Sequence, residues 1–144
     1  MTSFKDFIKG KLKKAASIAV FNPQNKLLLL RRSETAEWMP LHYCLPGGHA
    51  EEGEAMIETA ERELFEETEI ELDASEIESF GNYITDEYAN FIFVGHTNDS
   101  KVKLNFEHDK YVWCNYEECK ELNLVPRLGN IIDNLKNKGL FEIV

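Results

Sequence analysis

The chain has 144 residues, 43% of them hydrophobic and 11% aromatic, enough for one sizeable core but hardly two. Its formal net charge of −10 argues against unspecific binding to a nucleic-acid backbone, which depends on clustered Lys and Arg. No apolar run approaches the roughly 20 residues that span a bilayer, and the opening MTSFKDFIKGKLKK lacks a secretory apolar stretch, so a cytoplasmic location is expected.

In chain order, the basic stretch Lys9, Lys11, Lys13 and Lys14 with Phe4, Phe7, Ile8 and Leu12 predicts an amphipathic helix, docked on the domain or on a second subunit rather than on a membrane. Strands are expected near Ala15–Asn22 and Lys26–Arg32, joined by the turn Asn22-Pro23-Gln24-Asn25. Arg31 and Arg32 end the apolar run Leu27–Leu30, and one of them, depending on how the strand faces, is placed to grip a substrate phosphate as a fork. A loop follows from Ser33 to Tyr43. Leu45-Pro46-Gly47-Gly48 reads as turn chemistry that lets a backbone approach a ligand closely. A helix comes next, with Ile57, Ala60 and Leu64 as its core face. Further strands are expected near Glu76–Ile84, Ala89–Thr97 and Tyr111–Cys114, with a turn at Asn98-Asp99-Ser100. Helices are expected over Tyr116–Leu122 and Arg127–Lys138. Cys44, Cys114 and Cys119 are odd in number and lack CxxC spacing, so reduced thiols are expected. With no repeat, low-complexity tract or linker, residues 1–144 read as one α/β domain.

The central helix carries the chemistry. Its second half sets Glu63, Glu66 and Glu67 behind Arg62, and positions i, i+3 and i+4 share one face, where each close pair repels by roughly 0.2–0.5 kcal/mol. The helix C-terminus disfavours anions by roughly another 0.3–1 kcal/mol each. A hard divalent cation relieves both, and Mg²⁺ fits because it takes oxygen ligands and leaves positions for substrate phosphates. The bland alternative is a solvated acidic face. Glu51, Glu52 and Glu54 lie where acids favour a helix start, and capping is the expected role of Glu51 and Glu52.

The segment Gly48–Ile70 resembles the Nudix box, G-x5-E-x7-R-E-U-x-E-E-x-G-U, where U is a bulky aliphatic residue. Gly48, Glu54, Arg62, Glu63, Leu64, Glu66, Glu67 and Ile70 fall at its spacing, and Glu69 stands where the pattern has glycine. The departure bears on the helix exit, which glycine usually makes in the left-handed conformation. The resemblance implies a Nudix-type α/β/α sandwich around a mixed β-sheet. It implies Glu63 and Glu67 as metal ligands, Glu66 as a further ligand or base, the Gly48 carbonyl as a ligand, and Arg62 as the residue orienting a glutamate. The expected cation is Mg²⁺, with Mn²⁺ admitted as a substitute.

Outside the box, Glu107 is expected as an added metal ligand or general base, because related enzymes often place a late acidic residue over the metals; a solvated loop acid is the alternative. His108, His42 and His49 read as polar loop residues, His49 lying beside the metal loop. Tyr43, Tyr83, Tyr88 and Phe91 can stack a base or fill the core. Tyr88 is the one whose distance past the box suggests the tyrosine of dinucleoside-polyphosphate hydrolases. The expected activity is Mg²⁺-dependent hydrolysis of nucleoside diphosphates linked to another moiety, with (d)NTP pool cleaning and a non-catalytic nucleotide sensor as alternatives. Small nucleotides are the expected partners, a capped RNA end the one polymer substrate admitted, and a homodimer the assembly considered.

Overall fold

The computed structural model describes residues 12–141. Strand β1 (Lys13–Phe21) turns into β2 (Leu27–Arg32) at Asn22, whose side-chain oxygen accepts hydrogen bonds from the Gln24 and Lys26 amides, each at 3.0 Å. The two strands pair only at Phe21 and Leu27 and then diverge. Into the fork come two short strands, β3 (Tyr43–Cys44) on β2 and β4 (Gly47–His49) on β1. The far side of β1 pairs in parallel with β6 (Tyr88–His96), which pairs antiparallel with β5 (Ile77–Ile84); β7 (His108–Cys114) lies antiparallel to β2. One parallel pairing among antiparallel ones makes the sheet mixed, as expected.

Both faces of the sheet are covered, which is why β1 and β2 read as unbroken apolar runs rather than alternating ones. Ile18, Val20, Leu28 and Leu30 meet Ala60 and Leu64 of helix α1 (Met56–Thr68) on one face. Ala19, Phe21, Leu27 and Leu29 meet Leu128, Ile132 and Leu135 of helix α3 (Leu128–Asn137) on the other, with Cys119 of the short helix α2 (Tyr116–Lys120) beside them. The arrangement is the expected α/β/α sandwich. Among the described residues no helix is long and apolar enough to cross a membrane.

Three local expectations are corrected. Lys13 and Lys14 open β1, paired with Tyr88 and Ala89, because strand pairing takes them from any helix; Phe4, Phe7, Ile8, Lys9 and Lys11 lie outside the described residues. Gly47 and Gly48 form strand rather than turn: a Cβ on Gly47 would fall 2.8 Å from the Ser17 Cα, so only glycine lets β4 close on β1 here. Cys114 and Cys119 are joined as a disulfide across the β7–α2 junction, leaving Cys44 as the free cysteine among the described residues. Neither Cys-x4-Cys nor an odd count signalled that bond.

Helix α1 ends as a glycine would end it. Glu69 adopts the left-handed conformation (φ 61°) and its amide donates to the Phe65 carbonyl at 2.8 Å. The Thr68 hydroxyl completes the exit, donating to the Leu64 carbonyl and accepting from the Ile70 amide. Because a side chain in this conformation costs about 1 kcal/mol, Glu69→Gly should raise the melting temperature by about 2–4 °C without lowering divalent-cation affinity. A large loss of cation affinity would instead make Glu69 part of the metal site.

Candidate active site

Strand β4 receives one face of α1, residue by residue. The Gly47 amide donates to Glu67 Oε1 at 2.8 Å. At Gly48 an added Cβ would sit 2.6 Å from the Glu63 carboxyl carbon, so that carboxylate lies directly on the glycine backbone. The His49 carbonyl accepts from Arg62 Nη2 at 3.1 Å. The two glycines thus serve differently: Gly47 lets β4 close on Ser17 while its amide holds Glu67, and Gly48 makes room for Glu63, one helical turn before Glu67.

Arg62 spends its donors on the acids around it. Nε and Nη2 form a fork on Glu54 at 2.7 and 3.0 Å, while Nη1 reaches Glu63 Oε1 at 2.9 Å and Glu66 Oε2 at 3.2 Å. Thr59 supports Glu54 from behind with a 2.7 Å hydroxyl bond. Planar guanidinium geometry suits this role, since a point charge cannot satisfy three carboxylates in fixed directions. The contact with Arg62 pulls the Glu54 pKa down to about 2 and the same acids push that of Arg62 up. Glu54 serves less as a helix cap than as the anchor of this arginine. Its fixed place six residues after Gly48 was the available signal.

Glu67 is 2% exposed, and burial drives its pKa up to about 9, with Glu63, Glu107 and Glu66 adding repulsion and the Gly47 amide opposing. Burial raises Glu63 too, against the pull of Arg62. The donors on this face are all oxygen, the choice of a hard cation rather than of zinc. Among the described residues no three His, Cys, Asp or Glu groups already converge on one point. Glu63 and Glu66 are instead turned to Arg62, which offsets part of their charge. The buried acid nonetheless calls for positive charge, so the residues fit a divalent cation: Glu63, Glu66, Glu67 and the Gly48 carbonyl would hold it.

A pH prediction follows from the sign of the Glu67 shift. Its folded pKa lies above the ordinary 4.5, so the unfolded chain binds fewer protons over the window from 4.5 to about 9, and stability without metal falls as pH rises through it. A cation that neutralises the carboxylate opposes that fall. The rise in melting temperature caused by saturating Mg²⁺ should be larger by about 5 °C near pH 8.5 than near pH 5.5. A pH-independent rise would detach the cation from Glu67.

The remaining predicted residues lie around this face. Arg31 is held by Asp109 through two hydrogen bonds of 2.8 and 2.9 Å. Arg32, continuing the Leu28–Leu30 face toward α1, donates to the Trp38 carbonyl at 2.6 Å and lies over the Trp38 ring. Tyr88 stacks on His49 with centroids 4.9 Å apart, bringing it beside β4, whereas Tyr83 lies under Arg127. Glu107 is exposed, and its charge helps raise both Glu63 and Glu67. His108, expected in a loop, is the first residue of β7 and 5% exposed; burial lowers its pKa to about 4, and its Nε2 lies 3.5 Å from Cys44 Sγ.

The NUDIX domain family matches residues 11–135. The chain belongs to the Nudix hydrolase family. Its relatives include an uncharacterized Nudix hydrolase of Bacillus subtilis, YvcI, 27% identical over 85% of this chain and 80% of that protein. Similar solved structures include a MutT protein from Methanosarcina mazei, 25% identical with a TM-score of 0.72 over 89% of this chain and 95% of the other. A Caenorhabditis elegans Ap4A hydrolase is 22% identical with a TM-score of 0.67, covering 88% and 97%. Nudix hydrolases act on pyrophosphate-type anhydride bonds of small nucleotide-derived substrates and generally use a divalent cation. For this Nudix hydrolase the family assignment agrees with a helix face whose acids are too crowded for a simple surface.

Proposed function

We propose that this chain, as one domain over residues 1–144, hydrolyses the pyrophosphate bond of a nucleoside diphosphate linked to another moiety: a dinucleoside polyphosphate, nucleotide sugar, ADP-ribose or dinucleotide cofactor. Mg²⁺ is the resident cation and Mn²⁺ its substitute. The observation that carries the reading is the docking of Glu63 and Glu67 on Gly48 and Gly47 with Arg62 clasping the neighbouring acids. When bound, the cation neutralises diphosphate charge that no cluster of acids could otherwise accept.

The chain's own groups do the rest. Arg62 fixes the carboxylates so that little reorganisation accompanies the reaction. Glu66, half-exposed, or Glu107 takes the proton of the attacking water. Arg32, on the α1 face and without a carboxylate partner among the described residues, binds a substrate phosphate, a role for which Arg31 must first release Asp109. Tyr88, stacked on His49, offers its ring to a base.

The second reading is (d)NTP pyrophosphohydrolysis on the same residues, kept beside the first because the similar structures include MutT proteins as well as an Ap4A hydrolase. A panel decides between them: ADP-ribose, diadenosine tetraphosphate, NADH, flavin dinucleotide, nucleotide sugars, capped RNA and (d)NTPs, each incubated with Mg²⁺ and resolved by chromatography. Cleavage of a linked nucleoside diphosphate supports the proposal, and preference for (d)NTPs replaces it with the second reading. Nucleotide-dependent thermal stabilisation without product would favour a sensor.

A further inference from the structure

Residues 101–107 run along the C-terminal turn of α1 and end at Glu107. Their start is pinned by Trp113 Nε1, which donates to the Ser100 carbonyl at 2.9 Å, and their middle by Val102 and Leu104, which pack against the core cluster containing Leu64. The last carbonyls of a helix lack intrahelical donors, and this segment supplies two of them. The Lys103 amide donates to the Thr68 carbonyl at 2.9 Å, and Asn105 Nδ2 donates to the Glu66 carbonyl at 3.1 Å. Asn105 then turns its other atom to the catalytic side: Oδ1 accepts the Glu107 amide at 2.9 Å. The Glu107 carbonyl is taken up by the Ser33 amide at 3.0 Å, at the start of the loop that carries Trp38.

One amide side chain therefore spans from the helix that carries the metal-binding acids to the backbone of the loop acid. Because the Lys103 amide and the Asn105 side chain are bonded to the Thr68 and Glu66 carbonyls, Glu107 follows within two residues of a contact with the last turn of α1. We propose that Asn105 is a positioning residue: by bridging the Glu66 carbonyl and the Glu107 amide it fixes the Glu107 carboxylate beside the Glu63–Glu67 face. The inference rests on the metal-site reading above and adds to it the device that sets the distance between loop acid and helix acids. The bridge uses both the donor and the acceptor of an amide side chain. Aspartate can still accept the Glu107 amide and keep the local turn, but at neutral pH it has no donor for the Glu66 carbonyl.

The test is Mn²⁺ affinity of the full chain, followed by titration, with amide hydrogen exchange as a second readout. Glu107→Gln and Asn105→Ala should each weaken Mn²⁺ binding by about threefold to tenfold. Their combination should weaken it no further than Glu107→Gln alone, since both remove one contribution. Asn105→Asp should not restore affinity, and in Asn105→Ala the Glu107 amide should exchange faster while Ala60 and Leu64 stay protected. Wild-type affinity in Asn105→Ala or Asn105→Asp, or additive losses in the double variant, overturns the inference. Wild-type affinity in Glu107→Gln alone overturns it while leaving the metal site standing, provided Glu67→Gln loses Mn²⁺. If Glu67→Gln binds Mn²⁺ normally, the metal-site reading falls first and the inference with it.

Discussion

Glu67→Gln should leave the protein folded and lower turnover by about a thousandfold, through loss of a carboxylate oxygen for the cation. The fold is expected to survive because the Gly47 amide that now donates to Glu67 Oε1 can donate equally to a glutamine oxygen. Burial of Glu67 strengthens the contrast. Its raised pKa of about 9 keeps buried Glu67 protonated at neutral pH in the metal-free protein, which costs stability relative to an unfolded chain that ionises it, and a neutral amide carries no such cost. Without metal, Glu67→Gln should therefore melt at or above the wild-type temperature at neutral pH, while its stabilisation by Mg²⁺ disappears. Calorimetry with and without Mg²⁺, alongside steady-state kinetics, separates these outcomes. Near-normal turnover would remove Glu67 from the site.

Arg62→Lys should cost both stability and activity even though charge is kept. The guanidinium donates to Glu54, Glu63, Glu66 and the His49 carbonyl at once, which an ammonium on a flexible stem cannot do in those directions. Loss of the fork leaves Glu54, a largely buried acid, without its principal partner, although the Thr59 hydroxyl still donates to it. A fall in melting temperature of about 5 °C and in kcat/KM of about a hundredfold is expected. Thermal melts and kinetics of the purified variant check both. A variant that loses stability but keeps kcat would confine Arg62 to a structural role.

The acidic face of α1 was legible because its acids obey a spacing that the helix itself imposes. Gly48, Glu54, Arg62, Glu63, Glu66 and Glu67 can be recognised without tertiary information, and the structure brings them together on β4, α1 and the segment joining them. The two-sided burial of β1 and β2 was equally readable from the run around Leu27–Leu30. Strand β4 was hidden for a physical reason: Pro-Gly-Gly is turn chemistry in local terms, and only the close approach of Ser17 and Glu63 makes those glycines strand residues. The roles of Arg31 and Arg32 could not be separated in sequence because strand facing and the partner Asp109 come from β7, far along the chain. The bridge made by Asn105 had no local signature beyond an asparagine two residues before a glutamate.

The measurement that bears most directly on the account is hydrolysis in ¹⁸O-labelled water of whichever panel compound the wild-type protein cleaves, with Mg²⁺ present or removed by chelation. The account predicts label in one phosphate-bearing product, only when Mg²⁺ is present, and loss of that product in Glu67→Gln. Cleavage that persists after chelation, or no cleavage of any panel compound by folded protein that binds Mg²⁺, would contradict it.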